Sequence, residues 1–276
     1  MGRRRIRFVW LGACACLLAV AAAPGFAQTA GDDAPEEPAP RPGGPGDLSS
    51  IYAPSNLNLE SLAPEARKRV RAVVESPTLA AHGPLEIFTC KPDTYRWLMD
   101  HPDKTVKLWR RLGAKCIDIE DRGGGSFGWK EGVSDVHWEV VRDDPHQRVW
   151  YAEGRMKPAP LIPAVPFEAV LVLDYAEGKD GSGKPAVRHQ MQLVLHTDSR
   201  AVALATKMMG GSAPKMADQF LGQLQMFYAA MAWFLDQHPD RAEKMFAAMQ
   251  QPDPPGTRLT TPIRPASEGE TPSDDR

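Results

Sequence analysis

The side chains with the greatest chemical potential are Asp135, His137 and Glu139. Side chains alternate along a strand, so this Asp-x-His-x-Glu spacing sets two carboxylates and an imidazole on one face. Such a trio suits zinc or a similar ion. The intervening Val136, Trp138 and Val140 claim the core for the opposite face, which leaves the trio facing water, so no metal is expected. His189 and His196 stand seven residues apart in one strand pattern and so point to opposite faces, unable to form one site. His101 and His238 each precede a proline at a helix end, where an imidazole can serve free carbonyls. The chain holds no G-x-S-x-G, CxxC, HExxH or phosphate-cradling glycine loop. Gly123-Gly124-Gly125 lies between strand patterns and reads as a turn. No catalytic residue and no cofactor is nominated, so an enzyme stays open only as the weaker reading.

The remaining candidates are apolar. Phe127, Trp129, Trp138, Phe167, Phe220, Leu224, Phe227 and Met231 would line a hydrophobic ligand site if the sheet and the last long helix enclosed one. Met208, Met209, Met216, Met226, Met231, Met245 and Met249 crowd the C-terminal helices, and methionine adapts to irregular apolar surfaces. An ordinary core that uses methionine as filler is the competing reading.

These side chains depend on one long element. Pro214 to His238 places apolar residues at i, i+3, i+4 and i+7 for about seven turns, the stripe of an amphipathic helix. Ser212 and Pro214 supply its start and His238-Pro239 its stop. Short helices are expected at Pro64 to Glu75, Asp93 to Asp100, Pro102 to Leu112, Arg200 to Met209 and Asp240 to Gln250. The first carries mostly Arg and Lys and reads as a solvated surface helix. One strand is expected at Leu85 to Cys90. About six antiparallel strands follow between Ile117 and His196, with turn residues between them. Helices flanking a run of strands indicate an α+β fold, a curved antiparallel sheet of about seven strands gripping the long C-terminal helix. Such a sheet can leave its second face wet.

The ends set the compartment. Arg3, Arg4, Arg5 and Arg7 precede an apolar run from Phe8 to Ala23, and Gly25-Phe26-Ala27 fits a small-x-small cleavage site. Residues 1–27 therefore read as a signal peptide, and a secreted or periplasmic protein without a transmembrane span is expected after cleavage. Leu11-Gly12-Ala13-Cys14 loosely matches a lipobox but leaves almost no apolar run upstream, so lipidation is not expected. The whole chain of 276 residues has 33 Lys and Arg against 35 Asp and Glu. Removing four arginines leaves 29 basic against 35 acidic side chains, a net charge of −6 that points away from nucleic acid. Residues 28–59 and 251–276 are rich in Pro, Gly and acidic residues and read as disordered segments around a domain at 60–250. Cys90 and Cys116 survive cleavage. In an oxidising compartment they are a candidate disulfide worth about 3 kcal/mol, with two unpaired thiols as the alternative.

Two passages resemble the START-like superfamily, the helix-grip fold also called SRPBCC. The first is Cys90 to Asp100, CKPDTYRWLMD, followed by Trp109; the second is Leu195-His-Thr-Asp198, then Ser212-Ala-Pro214 and the long helix. The resemblance implies an apolar cavity between sheet and helix that takes lipids, sterols, polyketides or quinones. A carrier or binder of a hydrophobic small molecule or lipid is thus the expectation. An envelope interaction module with a packed core and a protein partner is the alternative, and a cyclase-like or hydrolytic enzyme a third.

Overall fold

The computed structural model describes residues 57–114, 116–157, 163–200, 202, 212–249 and 251. The readings for residues 1–27, 28–56, 158–162 and 252–276, and most of the helix expected at 200–209, lie outside them.

Eight strands form one antiparallel sheet. They are β1 (Leu79–His82), β2 (Glu86–Thr89), β3 (Glu120–Gly123), β4 (Ser126–Glu131), β5 (Ser134–Asp143), β6 (Gln147–Met156), β7 (Val165–Lys179) and β8 (Pro185–His196). Their order is β1-β8-β7-β6-β5-β4-β3, with β2 also on β8. β1 pairs with Leu195 to Gln192 and β2 with His189 to Ala186, so they are two halves of one edge. The edge breaks at Gly83-Pro84, because proline has no N–H to offer the ladder. The sequence reading holds β2 but omits β1, whose LAAH carries no alternation. The Gly123 to Gly125 turn has three successive positive φ angles, a path glycine alone follows without steric cost.

Among the described residues, five α-helices accompany the sheet: α1 (Pro64–Glu75), α2 (Pro92–Asp100), α3 (Pro102–Arg111), α4 (Ser212–Gln237) and α5 (Pro239–Ala248). α4 lies against β1, β2 and β8 and buries Ala217, Leu221, Leu224, Met231 and Leu235. At 1.5 Å per residue it runs about 39 Å. The α2–α3 and α4–α5 junctions are one solution used twice. His101 and His238 share φ and ψ within 2°, close the preceding helix through their N–H, and accept the first bond of the next helix. The proline after each histidine forbids an unbroken helix and suits a first turn. Trp97 meets Phe246 edge-on at 5.1 Å, which docks α5 beside α2.

The second face of the sheet is not wet, and α1 is not a solvated helix. Ala66, Val70, Val73 and Val74 pack on Ala80, Val149, Tyr151, Val170, Val172 and Val194, a second apolar layer behind the sheet. Arg69 reaches over the Tyr151 ring at 4.6 Å and pairs with Glu139 at 2.5 Å. A long arginine stem can cover apolar surface while its head stays polar, so the charge content of α1 hides its docking face. Val70→Asp places a carboxylate at a position with 0% exposure. It is expected to release α1 and cost more than about 3 kcal/mol, read as a lower urea midpoint and early cleavage near residue 75.

Candidate functional site

A void opens between the concave sheet face and the helices because two small residues stand in register. Ala152 pairs with Ala169 across β6 and β7, between Trp138 on one side and Leu195 on the other. Two methyl groups leave space where neighbouring rows carry Trp150, Leu171 and Leu193. The resulting cavity measures about 150 Å³. Trp129, Met191 and those aromatic and aliphatic residues form its sheet wall. Met99, Pro102 and Val106 close it from α2 and α3, and Phe220, Leu221, Leu224 and Tyr228 from α4. Cys116, Ile117 and Ile119, from the connection after α3, supply the last side. Among the described residues, none that lines it is charged.

Of the expected apolar set, the structure brings Trp129, Trp138, Phe220 and Leu224 together around this cavity. The other four pack nearby without lining it. Phe127 stacks on Trp138 at 6.2 Å, Phe227 meets Trp109 edge-on at 5.7 Å, and Phe167 and Met231 are buried in the core. The lining residues that the expected set lacks include Trp150, Tyr228 and the alanine pair, besides the aliphatic walls from β7, β8, α2, α3 and the connection after α3. Trp150 and the alanines sit at inward positions of their strands, so period-two counting with attention to small residues was the available signal.

One wall is held by an ion pair. Arg110 is fully buried in α3, and its Nε and Nη2 donate to the Cys116 carbonyl at 3.3 and 2.9 Å. Its Nη1 pairs with Asp118. Residues 116–119 have no ladder of their own beyond one bridge, so this guanidinium positions the wall.

Of the two readings for the cysteine pair, the structure has the unpaired thiols. Cys90 and Cys116 are both buried and are not joined. Cys90 stands between β2 and α2 and Cys116 after α3, so packing of those helices and not a covalent bridge relates the two positions. Burial, then Asp236, pushes the Cys90 thiol up to about 12, which removes its nucleophilic form.

Asp135, His137 and Glu139 share a face as expected, and each has its own partner. Asp135 pairs with Arg122 and Lys130 at 3.6 Å, Glu139 with Arg69, and His137 with the Ser126 hydroxyl at 3.3 Å. Among the described residues, no cluster of three or more His, Cys, Asp and Glu is arranged to hold a metal.

His189 is fully buried but does not line the cavity. Its Nδ1 lies 2.6 Å from Tyr95 Oη and its Nε2 3.0 Å from Glu86 Oε2. The neutral tautomer that satisfies all three groups donates Nε2–H to Glu86 and accepts the Tyr95 hydroxyl at Nδ1. The chain ties α2, β8 and β2 together. Burial holds the imidazole below its ordinary 6.5, against the pull of Glu86. The native state therefore binds fewer protons here than the unfolded chain, and this contribution is complete above about pH 6.5 and falls below it. Wild-type protein is expected to lose more melting temperature between about pH 7.5 and 5.5 than His189→Gln. Parallel profiles for the two proteins would refute the assignment.

Among the described residues no helix is long and apolar enough to cross a membrane. No protein-family model and no curated protein matches the chain. Solved structures align at low identity. A conserved protein from Geobacillus kaustophilus is similar at 14% identity over 56% of this chain and 97% of its own, with a TM-score of 0.37. A hypothetical protein from Helicobacter pylori gives 11%, 65%, 99% and 0.37 in the same terms. Ara h 8.0201 gives 13%, 51%, 97% and 0.26. All three scores lie below 0.5, so the α+β architecture rests on this chain's own strand order and its sheet gripped around α4.

Proposed function

We propose that this protein binds a compact, uncharged hydrophobic molecule in the cavity between the sheet and α4, and carries it without transforming it. The observation that carries the reading is an uncharged cavity of about 150 Å³ lined by aromatic and aliphatic side chains. An apolar void of this size stays dry and takes a benzene-sized guest. Drug-sized ligands occupy roughly 300–1,000 Å³, so a ring or a short branched chain fits as the walls stand, and a longer lipid would have to displace Phe220 or Trp138. The START-like kinship suggested by Cys90 to Asp100 and by the approach to α4 agrees with this use of the fold. The cavity speaks against the packed interaction module, and the Tyr95–His189–Glu86 chain keeps its imidazole out of the site an enzyme would use.

A single-ring apolar probe such as toluene, followed by ligand-observed NMR, tests the reading. It should bind the purified protein and be displaced by small apolar rings. Ala152→Phe fills the space between Trp138 and Ala169 and should abolish that binding while the far-UV spectrum is unchanged. Probe binding that survives Ala152→Phe would place it elsewhere and remove the proposal. The export reading from residues 1–27 goes with it as a proposal: the mature protein should begin at Gln28, read by intact-mass analysis.

A further inference from the structure

The two edges of the sheet are defended differently. β3 is four exposed residues, Glu-Asp-Arg-Gly, and charged side chains of this kind keep a second strand off. At the other edge α4 covers β1, where the His82 N–H donates to the Asp218 carboxylate at 2.7 Å. β2 has neither defence. The Cys90 N–H donates to the Pro185 carbonyl at 3.1 Å, so by alternation Glu86 and Phe88 also turn their peptide groups to β8. Leu85, Ile87 and Thr89 then turn theirs outward, where among the described residues no strand pairs with them. Leu85 and Ile87 are 58% and 68% exposed, and the row they form with Thr89 carries no charge. Beside this edge runs an apolar shoulder of α4. A Cβ on Gly222 would lie 3.1 Å from Pro84 Cδ, and Asp236 pairs with Lys91 at 3.4 Å, so α4 follows β2 from end to end. Residues 222, 226, 229, 233 and 236 make one row at helical spacing. Its middle holds Met226 and Trp233, 48% and 46% exposed.

We propose that β2 is a dimer interface, pairing antiparallel with β2 of a second copy about a two-fold axis at Ile87. Ile87 then faces its own counterpart, and Leu85 faces Thr89 of the second copy, so uncharged side chains meet along the whole row. Arg188, the neighbour of Ile87 on β8, lies three strand spacings from its counterpart, about 14 Å, beyond the screening length of about 8 Å at physiological salt. The carboxylates beside the row, Glu86 and Asp180, are engaged within the chain by His189 and by the Ser182 hydroxyl. The same axis brings the two α4 shoulders together beside the joined strands. That second layer selects another copy of this chain as the partner. A lone added strand would satisfy the edge but leave Met226 and Trp233 in water. The strip from Leu85 to Lys91 is about 24 Å long, and strand and helix together are about 20 Å deep. Pairing would bury roughly 1,000 Å² over the two copies, the size at which specific association begins.

Sedimentation equilibrium of the purified protein should give twice the chain mass. Ile87→Lys sets two ammonium groups against each other at the axis and should weaken the dimer at least about tenfold, with the far-UV spectrum unchanged. At the axis the two Ile87 Cα atoms would stand about 5.5 Å apart, within disulfide range. Ile87→Cys should therefore form a disulfide-linked dimer under mild oxidation, whereas Leu112→Cys, exposed outside β2, should not. A wild-type monomer at about 100 µM overturns the proposal and leaves the edge to a strand of another protein. A dimer that Ile87→Lys leaves intact, or that Ile87→Cys does not cross-link, forms through another surface and overturns it too. Equal cross-linking of both cysteine variants would mark chance collision and count against it in the same way.

Discussion

Replacing Gln225 with leucine is expected to lower the unfolding free energy by about 1.5–4.5 kcal/mol, although the side chain touches no candidate ligand atom. Gln225 lies on α4 with 0% exposure, facing the break between β1 and β2. Its Oε1 accepts the Met191 N–H at 2.9 Å and its Nε2 donates to the Pro84 carbonyl at 2.7 Å. The side-chain amide thus stands in for the peptide group that Pro84 cannot contribute to the ladder. Leucine leaves the buried Met191 N–H unpaired, worth about 1–3 kcal/mol, and loses the part-buried bond to the Pro84 carbonyl, worth about 0.5–1.5 kcal/mol. Gly83 belongs to the same device. A Cβ there would lie 1.6 Å from Gln225 Oε1 but 3.3 Å from the next neighbour, Met191 O. Gly83→Ala alone should cost about as much as Gln225→Ala, because it expels the amide. The double substitution should cost little more than either, a strongly non-additive cycle measured by urea unfolding. Additive costs would show that the two residues act separately.

Arg110→Met is the second large effect. Removing one partner of a buried ion pair costs about 3–5 kcal/mol when the other charge is stranded. Asp118 keeps 44% exposure and can turn to water, so the expected loss is smaller, about 2–3 kcal/mol. The consequence reaches the cavity, because the same guanidinium anchors the Cys116 carbonyl beside Ile117 and Ile119. Probe affinity should fall with stability. Arg110→Lys should not restore it, since an ammonium cannot reproduce the planar fork that spans a carbonyl and a carboxylate. Full affinity in Arg110→Met would mean that the wall holds without its anchor.

Legibility followed the range of the interaction. α1, α2, α3 and α5 begin at or beside prolines, and α4 carries an apolar stripe more than twenty residues long; both are local signals that survive in any context. Half of the expected apolar set lines the cavity because the inward faces of β4 and β5 follow from alternation and that of α4 from its helical stripe. Phe167 and Met231 share the right face with the lining residues but lie along it beyond the void, and period alone does not say where along a face a void opens. β1 escaped notice because four residues without alternation become a strand only when β8 is there to pair with them.

Residue order by itself determined the α+β class, the long amphipathic helix, the two His-Pro helix junctions and the uncharged character of the inner sheet face. Those properties are written in spacings of two, three and four residues. The tertiary structure alone decided that α1 covers the second face, that Cys90 and Cys116 stay apart, that Gln225 mends the broken edge, and that Ala152 meets Ala169 to leave a void. Each depends on residues distant in sequence arriving at one place, where register and packing, rather than local pattern, determine which groups meet.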